Sequence, residues 1–86
     1  MNKTALKILE ALLSNSIDSP SVAVNINELL ELMPEKQRRC YTTIYRNLQL
    51  LVELKYVQSG FPDALSVTYY LTANGKSFCE ANAMEV

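Results

Sequence analysis

The chain has 86 residues, of which 49% are hydrophobic, and a formal net charge of −1. This length suits a single small domain, taken here as residues 1–86, and the apolar content is too high for a disordered chain. Histidine is absent, which removes the commonest general base and the commonest metal ligand. Because we also find no nucleophile beside a base and no glycine-rich phosphate loop, the sequence predicts no enzyme, no metal site and no cofactor.

The first predicted element is an amphipathic helix over residues 4–14, with Thr4 as its expected N-cap. Glu10 interrupts the apolar part and no small-residue cleavage site follows, so the pattern indicates a helix of the fold and not a signal peptide. No apolar run approaches the ~20 residues that a membrane helix needs. We therefore expect a cytoplasmic protein without membrane contact.

A serine-rich loop and a short strand candidate at residues 22–24 lead to the second predicted helix. Asn25 and Glu28 have the spacing of a capping box, and apolar residues repeat at helical intervals from Ile26. Pro34 disfavours helical geometry in the residue before it. This helix is therefore expected over about residues 26–33.

The longest helical pattern runs from residue 38 to residue 55. Its apolar row is predicted to consist of Cys40, Ile44, Leu48 and Leu51, widened by Tyr41, Tyr45 and Val52. Its opposite row is polar throughout and consists of Arg39, Thr42, Arg46, Gln49 and Glu53. Cys40 and Cys79 are interpreted as small core residues, with a disulfide between them left open.

Two strand patterns follow, at residues 56–60 and 67–72, joined by a loop of about six residues. A last helix is expected after Thr72, its predicted N-cap, with Gly75 weakening the pattern in its first turn and with apolar contacts from residues 78–84. Two adjacent helices and a hairpin predict an α+β winged helix-turn-helix. Its parts are a three-helix core, a small antiparallel β-hairpin as the wing, and a C-terminal helix. Residues 22–24 are expected as a third strand on the edge of the hairpin.

Basic residues are concentrated around the third helix. Residues 36–55 contain five basic residues and one acidic residue, a local charge of +4 within a chain of net charge −1. Because DNA affinity depends on local phosphate neutralisation, an acidic chain can still bind DNA through such a segment. Residues 57–71 contain no basic residue and include Asp63. A minor-groove arginine in the wing is thereby excluded, and the wing is expected to contact DNA through its backbone or not at all.

The polar row of the third helix has the residue types of a double-stranded DNA interface. An α-helix fits the major groove, where arginine bonds guanine, glutamine bonds adenine, and threonine offers a hydroxyl or a methyl group. The predicted base-reading residues are Thr42, Thr43, Arg46 and Gln49, with Asn47 flanking them. The predicted phosphate contacts are Lys36, Arg38, Arg39, Tyr41 and Tyr45, the two tyrosine rings packing inward. One half-site offers little specificity, so a homodimer through the first and last helices is expected.

Two segments resemble bacterial regulators. Residues 42–57, TTIYRNLQLLVELKYV, resemble the recognition helix of the ferric-uptake-regulator family, with its TVYRNLxxLxExGxV pattern. Residues 68–78, TYYLTANGKSF, resemble the end of the wing in multiple-antibiotic-resistance and PadR-type repressors. Both resemblances imply a winged helix. Lys55 replaces the glycine of the first pattern, so the turn after the helix is expected to be made differently, and without histidine the metal sensing of that family is not carried over.

The leading hypothesis is a sequence-specific DNA-binding transcriptional regulator of bacterial, plasmid or phage type. The alternative is a winged-helix protein–protein interaction module that does not bind DNA. The acidic character of the chain outside residues 36–55 and the absence of cations in the wing are also compatible with that role. In the simplest interpretation, the polar row is only the solvated face of an amphipathic helix. The sequence does not specify the operator, the effector or the direction of regulation.

Overall fold

The computed structural model describes residues 1–61 and 66–83. The elements are α1 (Lys3–Ser14), α2 (Ile26–Leu32), α3 (Tyr41–Glu53), β1 (Val57–Ser59), β2 (Tyr69–Leu71) and α4 (Ala73–Ala83). This α+β winged helix-turn-helix confirms the predicted fold, with α2 and α3 as the helix-turn-helix and β1–β2 as the wing. Asp63 of the predicted wing loop and Met84 of the predicted last helix lie outside the described residues. Within those residues, no helix is long and apolar enough to cross a membrane.

The first helix begins one residue earlier than the sequence pattern predicts. The Oδ1 atom of Asn2 accepts a hydrogen bond from the backbone N–H of Ala5 at 2.8 Å, so Asn2 is the N-cap. Thr4 lies within the first turn of the helix, and its predicted capping role is wrong. The buried stripe of α1 consists of Ala5, Ile8, Leu9, Ala11 and Leu12.

The second helix has the predicted capping box. The Asn25 side chain accepts from the Glu28 N–H at 2.8 Å, and the Glu28 carboxylate accepts from the Asn25 N–H at 2.9 Å. Met33 is extended, with ψ of 140°, as a residue before proline prefers. The helix therefore ends at Leu32, one residue before its predicted end.

The third helix begins three residues later than predicted because the preceding connection has its own structure. Residues Glu35–Gln37 form a 3₁₀ turn, and Arg38 and Cys40 are extended. The Arg38 Nε donates to the carbonyl oxygen of Met33 at 3.0 Å, which supplies a partner at the end of α2. Cys40 is thus the exposed N-cap of α3, and its predicted place in the core is wrong. Cys79 is half-buried, and both cysteines are free thiols.

The core lies where α1, α2, α3 and the wing meet. Its fully buried large side chains are Ile8, Leu9, Leu12, Leu29, Met33, Ile44, Leu48, Leu51, Val57 and Leu71. Full burial of one such side chain stabilises the fold by about 1.5–3 kcal/mol relative to exposure. The rotation of α3 about its axis is therefore fixed by its apolar row, which packs against α1.

The wing is a two-stranded antiparallel hairpin in which Val57 pairs with Leu71 and Ser59 pairs with Tyr69. Val24 joins the free edge of β2 through one bridge, with N–H···O distances to Tyr69 of 3.0 and 2.8 Å. The predicted third strand is thus limited to one residue, because Pro20–Val22 form a 3₁₀ turn. This bridge attaches β2 to the segment that precedes α2.

The turn after α3 is made by Lys55, whose φ of 69° lies in the left-handed region. The Lys55 N–H donates to the oxygen of Val52 and the Tyr56 N–H to that of Leu51, both at 3.0 Å. These are the two hydrogen bonds of a Schellman motif, which usually has glycine at this position. The expectation of a different turn is therefore wrong: the lysine adopts the glycine conformation, at a cost of about 1–2 kcal/mol.

Replacing Lys55 with glycine should raise the free energy of unfolding by about 0.5–1 kcal/mol, because relief of the left-handed strain exceeds the added chain entropy of unfolded glycine. Urea denaturation measures this change. Lys55→Ala is the matched control, since it removes the same charge but keeps the strained Cβ. An equal gain in both variants would assign the effect to charge and contradict the expectation.

Gly75 is required by a close approach between the first turn of α4 and the backbone of Tyr56, the residue before β1. A Cβ on Gly75 would lie 2.7 Å from Leu71 Cδ1 and closer still to the Tyr56 carbonyl oxygen.

We expect Gly75→Ala to lower the free energy of unfolding by about 1–3 kcal/mol, although alanine favours helices. Ser77→Ala, at an exposed position of the same helix, should be neutral or slightly stabilising. A Gly75→Ala variant as stable as the wild type in thermal denaturation would refute the packing argument.

Candidate nucleic-acid interface

The outer face of α3 presents the three polar side chains that its spacing predicts. Thr42, Arg46 and Gln49 are exposed, whereas Ile44 and Leu48 are fully buried on the opposite side. At 3.6 residues per turn, the three polar residues fall within about 60° of one another around the helix axis. We call Thr42, Arg46 and Gln49 the outer row. Their orientation agrees with the sequence pattern, and their contact with DNA stays a prediction.

The basic connection before α3 is exposed and partly ordered by its own hydrogen bonds. Lys36, Arg38 and Arg39 are all exposed. The Nη1 atom of Arg39 donates to the Arg38 carbonyl oxygen at 3.0 Å and more weakly to that of Lys36 at 3.4 Å. These bonds hold the Arg39 guanidinium at the N-terminal end of α3, while the Arg38 guanidinium is bonded to the Met33 carbonyl oxygen.

The cations around α3 form no salt bridge with the carboxylates that the structure describes. In the described part of the chain, salt bridges join Lys7 to Glu10 and Lys76 to Asp18, and none involves a basic residue of segment 36–55. The positive charge of this segment is therefore available to an anionic partner. Among the described residues, no three histidine, cysteine, aspartate or glutamate side chains lie close enough together to hold a metal ion.

The N-terminal end of α3 also holds a thiol with a perturbed acidity. Cys40 Sγ lies 3.2 Å from Thr43 Oγ1. That hydrogen bond, together with backbone N–H groups of the first turn, lowers the pKa of Cys40. Burial raises the pKa of Cys79, and the carboxylates of Glu10 and Glu80 raise it further.

The two tyrosines of α3 lie on the flank that faces the wing. Tyr41 and Tyr45 are 55% and 45% exposed, so the expectation that their rings pack inward is wrong. They lie roughly 60–100° around the helix axis from the buried Ile44. Their side chains border a groove and are not packed against the core. This groove, here called the wing groove, has a volume of about 260 Å³ and is lined by Asn25, Ile26, Asn27, Tyr41, Tyr45, Ser66, Val67 and Tyr69.

Tyr69 connects the wing to the outer row. Burial raises the pKa of its phenol, the phenols of Tyr45 and Tyr41 raise it further, and the side chain of Gln49 acts in the opposite direction. Gln49 therefore lies near the second strand of the wing. This proximity could not be predicted from the sequence, because no local spacing connects residues twenty positions apart.

The other flank of α3 faces the start of α1. Asn47 is 7% exposed, and its Nδ2 donates to the Thr43 carbonyl oxygen at 2.8 Å, while its Oδ1 is buried without a partner. A shallow cleft of about 290 Å³ lies here between Asn2, Arg46 and Leu50. Thr43 is half-buried on this flank. The amide of Asn47 is therefore turned towards the protein. Contact between Asn47 and DNA stays a prediction, and the burial of the side chain argues against it.

Exposed large apolar side chains do not mark the predicted dimer interface. Among the described residues they are Met1, Val22, Tyr41, Tyr45, Leu54, Phe61 and Val67. None of these lies on α1 or α4, and these two helices pack against each other within the chain. Dimerisation through α1 and α4 stays a prediction.

Comparison with solved structures finds that the chain is similar to the DNA-binding TubR fragment from Clostridium botulinum, whose structure was determined in solution. The two are 26% identical with a TM-score of 0.75, and the match covers 94% of this chain and 95% of the other. No protein-family model and no curated protein matches the chain. The similarity agrees with a winged helix. It does not confirm the narrower resemblances to the ferric-uptake-regulator, multiple-antibiotic-resistance and PadR families.

The two thiols should differ in reactivity. Near neutral pH, iodoacetamide is expected to alkylate Cys40 several-fold faster than Cys79, because the first has a lowered and the second a raised pKa. Peptide mass spectrometry gives both rates. Thr43→Val should slow the labelling of Cys40 by removing its hydrogen bond, whereas Thr42→Val, at an exposed position beside it, should not. Faster labelling of Cys79 would contradict this.

Proposed function

We propose that this chain is a sequence-specific DNA-binding transcriptional regulator whose α3 enters the major groove. The proposal rests on one observation. The second helix of the helix-turn-helix presents an exposed polar outer row, in a chain similar over 94% of its length to a DNA-binding fragment. The residue types of that row are those that read base edges.

The outer row would supply base recognition. Arg46 has the planar fork that bonds guanine through two hydrogen bonds, and Gln49 has the donor and acceptor that adenine requires. Thr42 lies one turn before Arg46 and would contact a base through its hydroxyl or its methyl group. Thr43 lies on the half-buried flank of the same turn, where it would contact the edge of the site. Asn47 is left out of this set because its amide is buried.

The residues before and beside the outer row would hold the DNA backbone. Lys36, Arg38 and Arg39 are exposed at the N-terminal end of α3 and take part in no salt bridge within the described chain. Tyr41 and Tyr45 are exposed enough to offer their hydroxyls to phosphates. Such contacts fix the register of a protein on the duplex and carry no sequence information of their own.

A homodimer belongs to the proposal, because one half-site contacted by a single helix gives limited specificity. Sedimentation of the free chain and of the chain bound to a duplex tests this directly. The alternative function, a protein-interaction module, predicts capture of a protein partner that survives nuclease treatment.

Selection from a random duplex library tests DNA binding and identifies the site together. We expect an enriched motif that binds the purified chain in fluorescence anisotropy, with an affinity that falls steeply as salt rises. If a folded chain enriches no motif and binds no duplex at low salt, the proposal is wrong.

Two substitutions separate base recognition from phosphate binding. Arg46→Ala should reduce the free energy of DNA binding by about 1–3 kcal/mol and relax the preference at one base position. Lys36→Ala should lower the affinity for duplexes of every sequence by the same factor, and it should reduce the slope of log K against log salt by about one. Lys76→Ala, on α4, removes the same charge outside the proposed interface and should leave the slope unchanged. Equal slopes for the Lys36 and Lys76 variants would exclude the assigned phosphate contact.

A further inference from the structure

We infer that the wing groove seats one sugar–phosphate strand of the bound duplex, held by uncharged hydrogen-bond donors and not by cations. This inference rests on the proposed DNA binding and extends it to the wing. It assigns the wing a DNA contact although residues 57–71 contain no lysine or arginine.

The lining of the groove complements the two kinds of surface that a sugar–phosphate strand presents, its phosphate oxygens and its deoxyribose carbons. The hydroxyls of Tyr41, Tyr45 and Ser66 and the amide of Asn27 are donors for phosphate oxygens. The tyrosine rings and Val67, which is 59% exposed, provide apolar surface for deoxyribose carbons. None of the described residues that line the groove is charged, so no carboxylate there would repel a phosphate.

The position of the groove makes it continuous with the outer row. Tyr45, which lines the groove, precedes Arg46 in α3, and Tyr69, which also lines it, lies near Gln49. A helix in the major groove is bordered by the backbone strands that form the walls of that groove. The strand on the wing side would therefore pass between the tyrosine flank of α3 and residues 66–67 of the wing.

The size and charge of the groove favour this occupant over a protein. Among the described residues, eight line the groove, whereas a stable protein interface uses roughly 20–30 residues a side. An uncharged lining also offers no ion pair to an acidic or a basic peptide. The strand, by contrast, is brought to the groove by the cations that precede α3, so the groove needs only to orient it.

Removing one hydroxyl tests the contact without altering charge. Tyr45→Phe is expected to weaken binding about tenfold on all sequences, because a hydrogen bond to a charged group is lost. Its salt slope should equal that of the wild type, since no cation is removed. Tyr70→Phe is the matched control, because Tyr70 lies on the opposite face of β2 and does not line the groove.

Adding a charge tests occupancy of the groove. Val67→Asp should weaken binding by more than tenfold through repulsion of the seated phosphate, and its exposure makes the change compatible with folding. Ser77→Asp adds the same charge at an exposed position of α4 and should have a much smaller effect. Thermal denaturation of all four variants verifies that they are folded.

Methylphosphonate scanning of the selected duplex identifies the seated phosphate. At one position, the methylphosphonate should weaken binding by the wild type but should not weaken binding by Tyr45→Phe any further. Such non-additivity indicates that the phosphate and the Tyr45 hydroxyl are in direct contact. If the wild type binds and no position couples to Tyr45, or if Tyr45→Phe and Val67→Asp bind like the wild type, this inference is wrong and the proposed function stands. If those two variants instead abolish self-association or binding of a protein, the occupant is a protein. Failure of the wild type to bind any duplex removes both proposals.

Discussion

The packing of Ile44, Leu48 and Leu51 against α1 is the interaction on which the rest of the surface depends. Because successive residues of an α-helix are rotated by about 100°, burying these three side chains fixes every other direction around α3. The outer row then faces away from the domain, the tyrosine flank faces the wing, and the flank of Asn47 faces α1. The left-handed turn at Lys55 reverses the chain after α3, and β1 follows in contact with that helix.

The distribution of charge divides the proposed DNA interface into two chemically different parts. Cations cluster in the segment 36–55, which has a charge of +4, while the remainder of the chain is acidic. The wing side offers hydroxyls, an amide and apolar surface instead. Long-range attraction and salt dependence would therefore arise before and within α3, whereas the wing would act only at contact distance. An acidic chain with a wing free of cations is in this way compatible with DNA binding.

Much of the fold could be predicted from the sequence, because helices and strands leave local periodicities and the α2 capping box has a fixed spacing. The predictions were wrong where the structure depends on conformations or contacts that leave no periodic pattern in the sequence. The 3₁₀ turn at Glu35–Gln37 and the extended residues after it delay the start of α3, so Cys40 becomes an exposed N-cap outside the core. Lys55 adopts a conformation usually reserved for glycine. Tyr41 and Tyr45 were predicted as phosphate contacts, but the wing groove that they line was not. Its residues come from α2, α3, the segment before β2 and β2 itself, and no spacing in the sequence joins Asn27 to Ser66.

The most direct test of this account is a titration of the ¹⁵N-labelled chain with its selected duplex, followed by amide chemical shifts. Side-chain contacts along α3 and the wing groove predict the largest changes in residues 36–49 and 66–69, with small changes across α4. Mapping in this way examines the orientation of the whole domain on DNA at once. Changes concentrated on α1 and α4, with the amides of the outer row unaffected, would contradict the central claim that α3 is the DNA-reading helix.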